Sequence, residues 1–195
     1  TLMQGVGLAR AQKINFLLAV GGGSVIDGTK FIAAASLFDG DPWNILEQWG
    51  APIKSALPFG VVLTLAATGS EMNSGSVISH RTLKIKRPFS SPHVFPKFAA
   101  LDPTTTFSLP LRQVGNGVVD SFVHVTEQYL TYPVGGKVQD RFAEGLLLTL
   151  IEEGPKALAH PDDYDVRANL MCASTLALNG LIGAGVPGDW STHMI

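Results

Sequence analysis

Asp120, His124 and His193 are the residues whose types and spacing could hold a metal ion. Asp120-x-x-x-His124 lies in Val118–Tyr129, whose apolar spacing predicts a helix, and residues four apart share one helical face. A carboxylate and an imidazole on that face can grip one cation. The pattern places them beside Val119 and Val123 on an apolar side, where an unpaired carboxylate is costly. A buried, hydrogen-bonded Asp–His pair satisfies the same spacing, so the pair by itself leaves both readings open. His193 follows Gly188-Asp189-Trp190 and can close the set. Three nitrogen and oxygen ligands suit Zn2+ or Fe2+, with a position left for substrate.

A second kind of chemistry is written in Gly21-Gly22-Gly23-Ser24. A buried strand running into glycines and then a helix gathers free N–H groups and the helix dipole at one spot, which suits a pyrophosphate. A Cβ there would keep a phosphate off the backbone. A tight turn that binds nothing is the alternative, and neither G-x-G-x-x-G nor G-K-[ST] is present. Thr64, Thr68-Gly69-Ser70-Glu71 and Asn73 follow a second strand, and ligands of open α/β sheets sit off such strand ends. Thr68-x-x-Glu71 also matches a helix capping box. Lys86 and Arg87 could steady a phosphate or ribose, or form a solvated basic turn. His80, His93 and His160 read as surface residues, Cys172 as core packing, and Trp43 and Trp49 as cover over a hydrophobic layer.

The elements that must position these groups read as two domains. Residues 14–20 and Gly60–Leu65 are short apolar runs of buried-strand type. Val25–Ala35 is helical, residues 39–58 look like a surface excursion, and Val77–Ser79 and Phe98–Leu101 are further strands separated by the basic stretch Lys84–Arg87. Residues 112–131, 137–151, 153–159 and 164–183 carry helical spacing without a strand among them. The expected division is therefore an α/β domain over 1–109 and an all-α domain over 110–195. The chain is 46% apolar and 15% charged with net charge −2, which describes a packed globular core and no basic face for nucleic acid. Its apolar runs are far shorter than the ~20 residues of a bilayer span. The single cysteine excludes an internal disulfide framework and suits a reducing, cytoplasmic setting. Both ends read as cut, so a fragment is expected.

Together these segments resemble the iron-containing (group III) alcohol dehydrogenase family, and within it the butanol dehydrogenase-like, NADPH-dependent aldehyde reductases. The resemblance is carried by Leu18–Lys30, Leu63–Glu71, Leu101-Asp-Pro103, Asn116–His124 and Gly185–His193. It implies a dehydroquinate synthase-like fold, an α/β nucleotide-binding domain followed by an all-α metal-binding domain, both truncated. It implies that Gly22, Gly23 and Ser24 hold the pyrophosphate and that Asp27 faces the nicotinamide end. Thr64, Thr68 and Asn73 would line the cofactor groove, with Lys86 on a ribose hydroxyl. Asp120, His124 and His193 match three of the family's four metal ligands, and the fourth would fall beyond Ile195. The first βαβ unit, which sets NADP against NAD, would also be missing. The implied reaction is hydride transfer between NAD(P)H and an aldehyde or primary alcohol, with Fe2+ or Zn2+ as Lewis acid and a homodimeric parent. A glycerol dehydrogenase-like polyol oxidoreductase and an inactive nucleotide-binding fragment are the alternatives.

Overall fold

The computed structural model describes residues 1–194, which divide into two compact units, residues 1–63 with 70–100 and residues 64–69 with 101–194. The first unit opens with helix α1 (Leu2–Ala11), strand β1 (Leu17–Gly21) and helix α2 (Gly23–Leu37). A short helix α3 (Trp43–Glu47) leads to β2 (Phe59–Leu63), then to the hairpin β3 (Gly75–His80) and β4 (Ile85–Ser90), and finally to β5 (Ala99–Ala100). β1, β2 and β5 form a parallel sheet in that order, with Leu17 opposite Phe59 and Val61 opposite Ala99. β3 and β4 pair antiparallel, Gly75 opposite Ser90 and His80 opposite Ile85. Parallel strands need a covering crossover helix, and α2 supplies it, burying Ile26, Phe31 and Ala33. The unit's core gathers Val6, Phe31, Ile45, Leu46, Ile78 and Phe89, with the Phe31 and Phe89 rings edge to face at 6.5 Å.

The second unit is helical. α4 (Leu111–Tyr129), α5 (Lys137–Ala159) and α6 (Tyr164–Leu178) pack together, and a short α7 (Ser191–Met194) follows a long connection. α4 presents Val114 to a core shared with Leu150, Val166 and Leu170, while Val125 packs with Ala143, Ala177 and Ile182. Asp163 starts α6 by accepting the Val166 N–H at 3.1 Å, the side-chain cap expected of an aspartate there. No helix among the described residues is long and apolar enough to cross a membrane.

The fold is a parallel sheet with helices followed by a helical part, as the sequence pattern and the family resemblance led us to expect. Several local expectations are corrected. Residues 39–58 are not a surface excursion: Ile45 and Leu46 are fully buried and Ile53 and Leu57 nearly so. The basic stretch Lys84–Arg87 runs from the hairpin turn into the start of β4, whose side chains are mostly half-buried or exposed, with Phe89 alone deeply buried. The helical pattern broken at residue 152 is a single helix, α5, which continues through Pro155 despite the hydrogen bond that residue cannot make. α6 ends at Leu178 rather than 183. Cys172 is exposed rather than core, since it lies on the outer side of α6.

Candidate metal centre

α4 carries the site because its two ends bury different things. Its middle runs close to the 64–69 segment: Gly117 lies where a Cβ would stand 2.4 Å from the Ala66 carbonyl oxygen, so only glycine permits that approach. One turn on, Ser121 is fully buried and bonds the Gly117 carbonyl at 2.8 Å and the Ser174 hydroxyl at 2.7 Å. Gln128 ties the same helix to α6, donating to the His124 carbonyl at 2.7 Å and to the Ala177 carbonyl at 2.8 Å. These bonds leave Asp120 and His124 no freedom to rotate about the helix axis.

Asp120, His124 and His193 come together, with one potential ligand atom of each within 4.8 Å of the others. His124 Nε2 stands 4.0 Å from Asp120 Oδ1, and His193 Nε2 stands 3.6 Å from the same oxygen. Neither distance is a hydrogen bond, so the hydrogen-bonded Asp–His pair that the spacing also allowed is not formed. The two imidazoles stack at 4.6 Å, nearly parallel at 11°, and Trp190 meets both rings edge-on. The environment differs from the expectation in one respect: Val119 is 63% exposed, and Asp120 has a side chain 36% exposed, so the carboxylate stands at the edge of the buried face rather than within it.

His124 is buried, and its Nδ1 makes no hydrogen bond of good geometry, the Ala67 carbonyl being the acceptor that bears on it. Burial pulls the His124 pKa below its usual value, helped by His193 and opposed by the charges of Asp120 and Glu127. The imidazole is therefore held neutral, the form a metal ligand needs. Glu127, which the sequence reading did not select, is also buried here. Burial alone would raise its carboxyl, but the His193 ring and the N–H groups of Thr192 and His193 outweigh it and hold the group below the usual range. Its Oε1 accepts from Thr192 N at 2.6 Å and His193 N at 3.3 Å, and its Oε2 contacts His193 Nδ1. Positions 120, 124 and 127 share a helical face, but nothing on that face marks Glu127 for residues 192 and 193.

The residues expected at the cofactor lie as follows. β1 ends at Gly21, Gly22 caps α2, and Gly23 and Ser24 form its first turn, where N–H groups lack acceptors inside the helix. Ser24 is exposed and Gly23 buried. Asp27, on the same helix, accepts from Ser70 Oγ at 2.6 Å and from Val77 N at 2.8 Å. Burial raises its pKa against those hydrogen bonds and against the charges of Lys30 and Lys86. Asn73 accepts from Lys30 Nζ and from Gly75 N, both at 3.0 Å. Lys86 is exposed on β4, opposite Ser79. Thr64 and Thr68 belong to the 64–69 segment of the second unit, and a single 3-10 turn, Ser70–Met72, follows Thr68 where a capping box would begin an α-helix.

Comparison with known proteins adds an independent line. A family model described as iron-containing alcohol dehydrogenase matches residues 1–103, and one for the C-terminal part of the Fe-containing alcohol dehydrogenase family matches residues 115–195. The NADPH-dependent aldehyde reductase YqhD of Escherichia coli is 66% identical over 197 residues, covering 100% of this chain and 51% of that protein. A probable NADH-dependent butanol dehydrogenase 1 of Bacillus subtilis is 51% identical, covering 100% of the chain and 50% of its own length. The crystal structure of NADH-dependent butanol dehydrogenase A from Thermotoga maritima superposes with a TM-score of 0.92 at 37% identity, over 98% of this chain and 48% of that one. The chain thus spans about half the length of the curated relatives it matches.

Proposed function

The chain belongs to the iron-containing alcohol dehydrogenase family, and on that premise we propose that it is the part of a nicotinamide-dependent oxidoreductase that holds both the cofactor phosphates and the catalytic metal. The reaction is hydride transfer between NADPH or NADH and an aldehyde or primary alcohol. The observation that carries the reading is the convergence of Asp120, His124 and His193, three donor groups within 4.8 Å that do not hydrogen-bond one another. His124 is buried, and a carboxylate oxygen drawn up to two ring nitrogens without hydrogen-bonding either is an arrangement that a cation would complete.

The donor set fits a divalent ion. One carboxylate with two neutral imidazoles suits Fe2+ or Zn2+. When bound, that ion supplies Lewis-acid polarisation of the substrate oxygen, and the nicotinamide supplies the hydride. The protein's own part is positional. Burial keeps His124 uncharged and hence able to donate its lone pair, and Trp190 covers the two rings on one side. Gly22, Gly23 and Ser24 offer the N–H groups of the first turn of α2 to the cofactor pyrophosphate. In the same proposal Asp27, Asn73 and Lys86 serve the nicotinamide and ribose side, and Thr64 and Thr68 line the groove. The division into a nucleotide domain over 1–109 and a metal domain over 110–195, the homodimeric parent and the cytoplasmic setting also belong to it. The last of these is supported by the single free thiol of Cys172.

Asp120→Asn in the protein that carries this chain is the direct test. The amide keeps size and shape but removes the ligand charge, so bound iron or zinc should fall below stoichiometric and NAD(P)H-dependent aldehyde reduction should collapse. Metal content and rate both at the level of the unmodified protein would end this assignment.

A further inference from the structure

Glu127 is the one buried carboxylate among the described residues of the second unit, and each of its oxygens is committed. It lies on α4 seven residues after Asp120 and three after His124, so the helix that offers two ligand groups also offers this third side chain. Its partners lie more than sixty residues later in sequence. Oε1 accepts the N–H groups of Thr192 and His193, and Oε2 contacts the His193 ring at Nδ1. Its main chain takes part as well, the Glu127 carbonyl accepting from Asp189 N at 2.8 Å. Asp189 in turn accepts from Ser191 N at 3.0 Å, bending the chain back into α7. Glu127 is therefore the anchor of the whole 189–193 segment.

The pattern of donors fixes a proton. A carboxylate is an acceptor only, and one already accepting two N–H groups is held in that form. The ring nitrogen against Oε2 must then be the donor, so His193 is the tautomer with hydrogen on Nδ1. That leaves the lone pair on Nε2, the atom 3.6 Å from Asp120 Oδ1. An imidazole presented the other way round would turn an N–H toward the cation position.

We infer that Glu127 is a positioning residue that fixes the tautomer and orientation of His193, converting a side chain from a short surface helix into a metal ligand. The inference rests on the metal reading given under Proposed function. Its physical basis is general: an anionic acceptor on the far nitrogen of a ligating imidazole raises the basicity of the near one and locks the ring. It also changes the charge at the site, since a second carboxylate offsets the positive charge that a divalent ion with Asp120 alone would leave. His124 is held differently, by burial and with no hydrogen bond on its Nδ1, so Glu127 makes the two imidazoles unequal.

The test is a metal titration on the protein that carries this chain, stripped of metal, with Zn2+ alone as probe against a competing chelator. Glu127→Gln keeps a neutral acceptor of the same shape and should weaken Zn2+ binding by about 10–100-fold. In a His193→Ala background the same change should add no further loss, because Glu127 acts through that ring. With Co2+ in place of Zn2+, the hyperfine-shifted N–H proton of His193 should move and exchange faster with solvent in Glu127→Gln. A loss of affinity that persists undiminished in the His193→Ala background would overturn the inference, as would unchanged Zn2+ affinity and an unchanged N–H resonance. Thermal unfolding of the metal-free proteins guards against mere misfolding. If Glu127→Gln unfolds at a lower temperature, Glu127→Asp supplies the comparison, and its shorter carboxylate should restore part of the affinity. Retention of affinity by Glu127→Gln while Asp120→Asn loses it would sink only the role of Glu127, whereas retention by both would sink the metal reading itself.

Discussion

Two clusters of ionisable side chains occupy the two units, and they are built on opposite plans. In the first unit Asp27 and Lys30 lie a turn apart on α2, and every polar atom of theirs is engaged. Asp27 takes Ser70 and Val77 N, while Lys30, fully buried, donates to Asn73 at 3.0 Å and to the Gly75 carbonyl at 2.6 Å. In the second unit Asp120, His124 and His193 converge and leave their facing atoms unbonded to each other. A cluster that satisfies itself holds structure, here α2 against the β3 hairpin. A cluster held in place from behind, whose facing atoms do not hydrogen-bond one another, is the arrangement on which the metal proposal rests.

The comparison is sharpest at Asp120. Its removal should cost function and not fold: in Asp120→Asn, the aldehyde reduction proposed for the protein that carries this chain should fall by more than about 100-fold, beyond the usual loss on disturbing a residue behind a ligand. The metal-free form should unfold within about 0.5 kcal/mol of the parent, as surface changes away from special features do. A metal-free variant that is several kcal/mol less stable would make the trio a structural cluster after all, and the contrast would fail.

Lys30 should behave in the reverse way. Lys30→Met removes the cation between Asp27 and Glu71 and strips donors from Asn73 and Gly75, which should destabilise the protein by about 3–5 kcal/mol, the usual cost of breaking a buried pair. Its Zn2+ stoichiometry should not change. The effect should also depend on pH in a set direction. Burial pulls the Lys30 pKa down to about 8, against the opposing charges of Asp27 and Glu71, from 10.5 in the unfolded chain. Below about 8 both states carry the proton and the cost of burying the charge is fully present. Between there and 10.5 the unfolded chain binds more protons, so the native state gains with rising pH. Denaturant titrations from pH 7 to 10 should show the gap between parent and Lys30→Met widening, by up to about 3 kcal/mol at full swing. A gap that narrows with pH would mean that the buried amine is stabilising as a cation.

The same contrast explains what could be read from the sequence. The glycine turn into α2 and the Asp120–His124 helix face were legible because their signals are local: a strand, three glycines and a helix in order, or a four-residue spacing. The hairpin partner β4 was missed because only Phe89 on it is deeply buried, so no alternation marks Ile85–Ser90 as a strand. α3 was missed because five residues are too few to show a helical period. Glu127 was missed because its task is defined by residues 189–193, and nothing in the helix that carries it points to them. Whether the facing atoms of Asp120 and His124 bond one another was equally invisible, since the spacing of a pair is the same in both cases.

Gly117 offers the smallest and most specific probe of how the second cluster is held from behind. It has no side chain to remove, and it offers no ligand atom to the cluster. Its Cα lets α4 lie against the 64–69 backbone, where an added Cβ would meet the Ala66 carbonyl oxygen at 2.4 Å and the Ala67 side chain at 3.6 Å. A carbonyl of the main chain cannot swing aside as a side chain would. Gly117→Ala should therefore push the helix and the segment apart, at a cost of about 1–3 kcal/mol typical of overpacking. Ser121 spans the same gap, bonding Ala67 O at 3.3 Å, and the Ala67 carbonyl is also the acceptor bearing on the His124 ring. The displacement should thus act most directly on His124, and less on His193, whose support Glu127 lies nearly three turns further along α4. Imidazole resonances of the metal-free protein give the check: the His124 signals should shift more than those of His193. Equal movement of both would show that the two rings share one support, and the distinction between burial on one side and a carboxylate on the other would be lost.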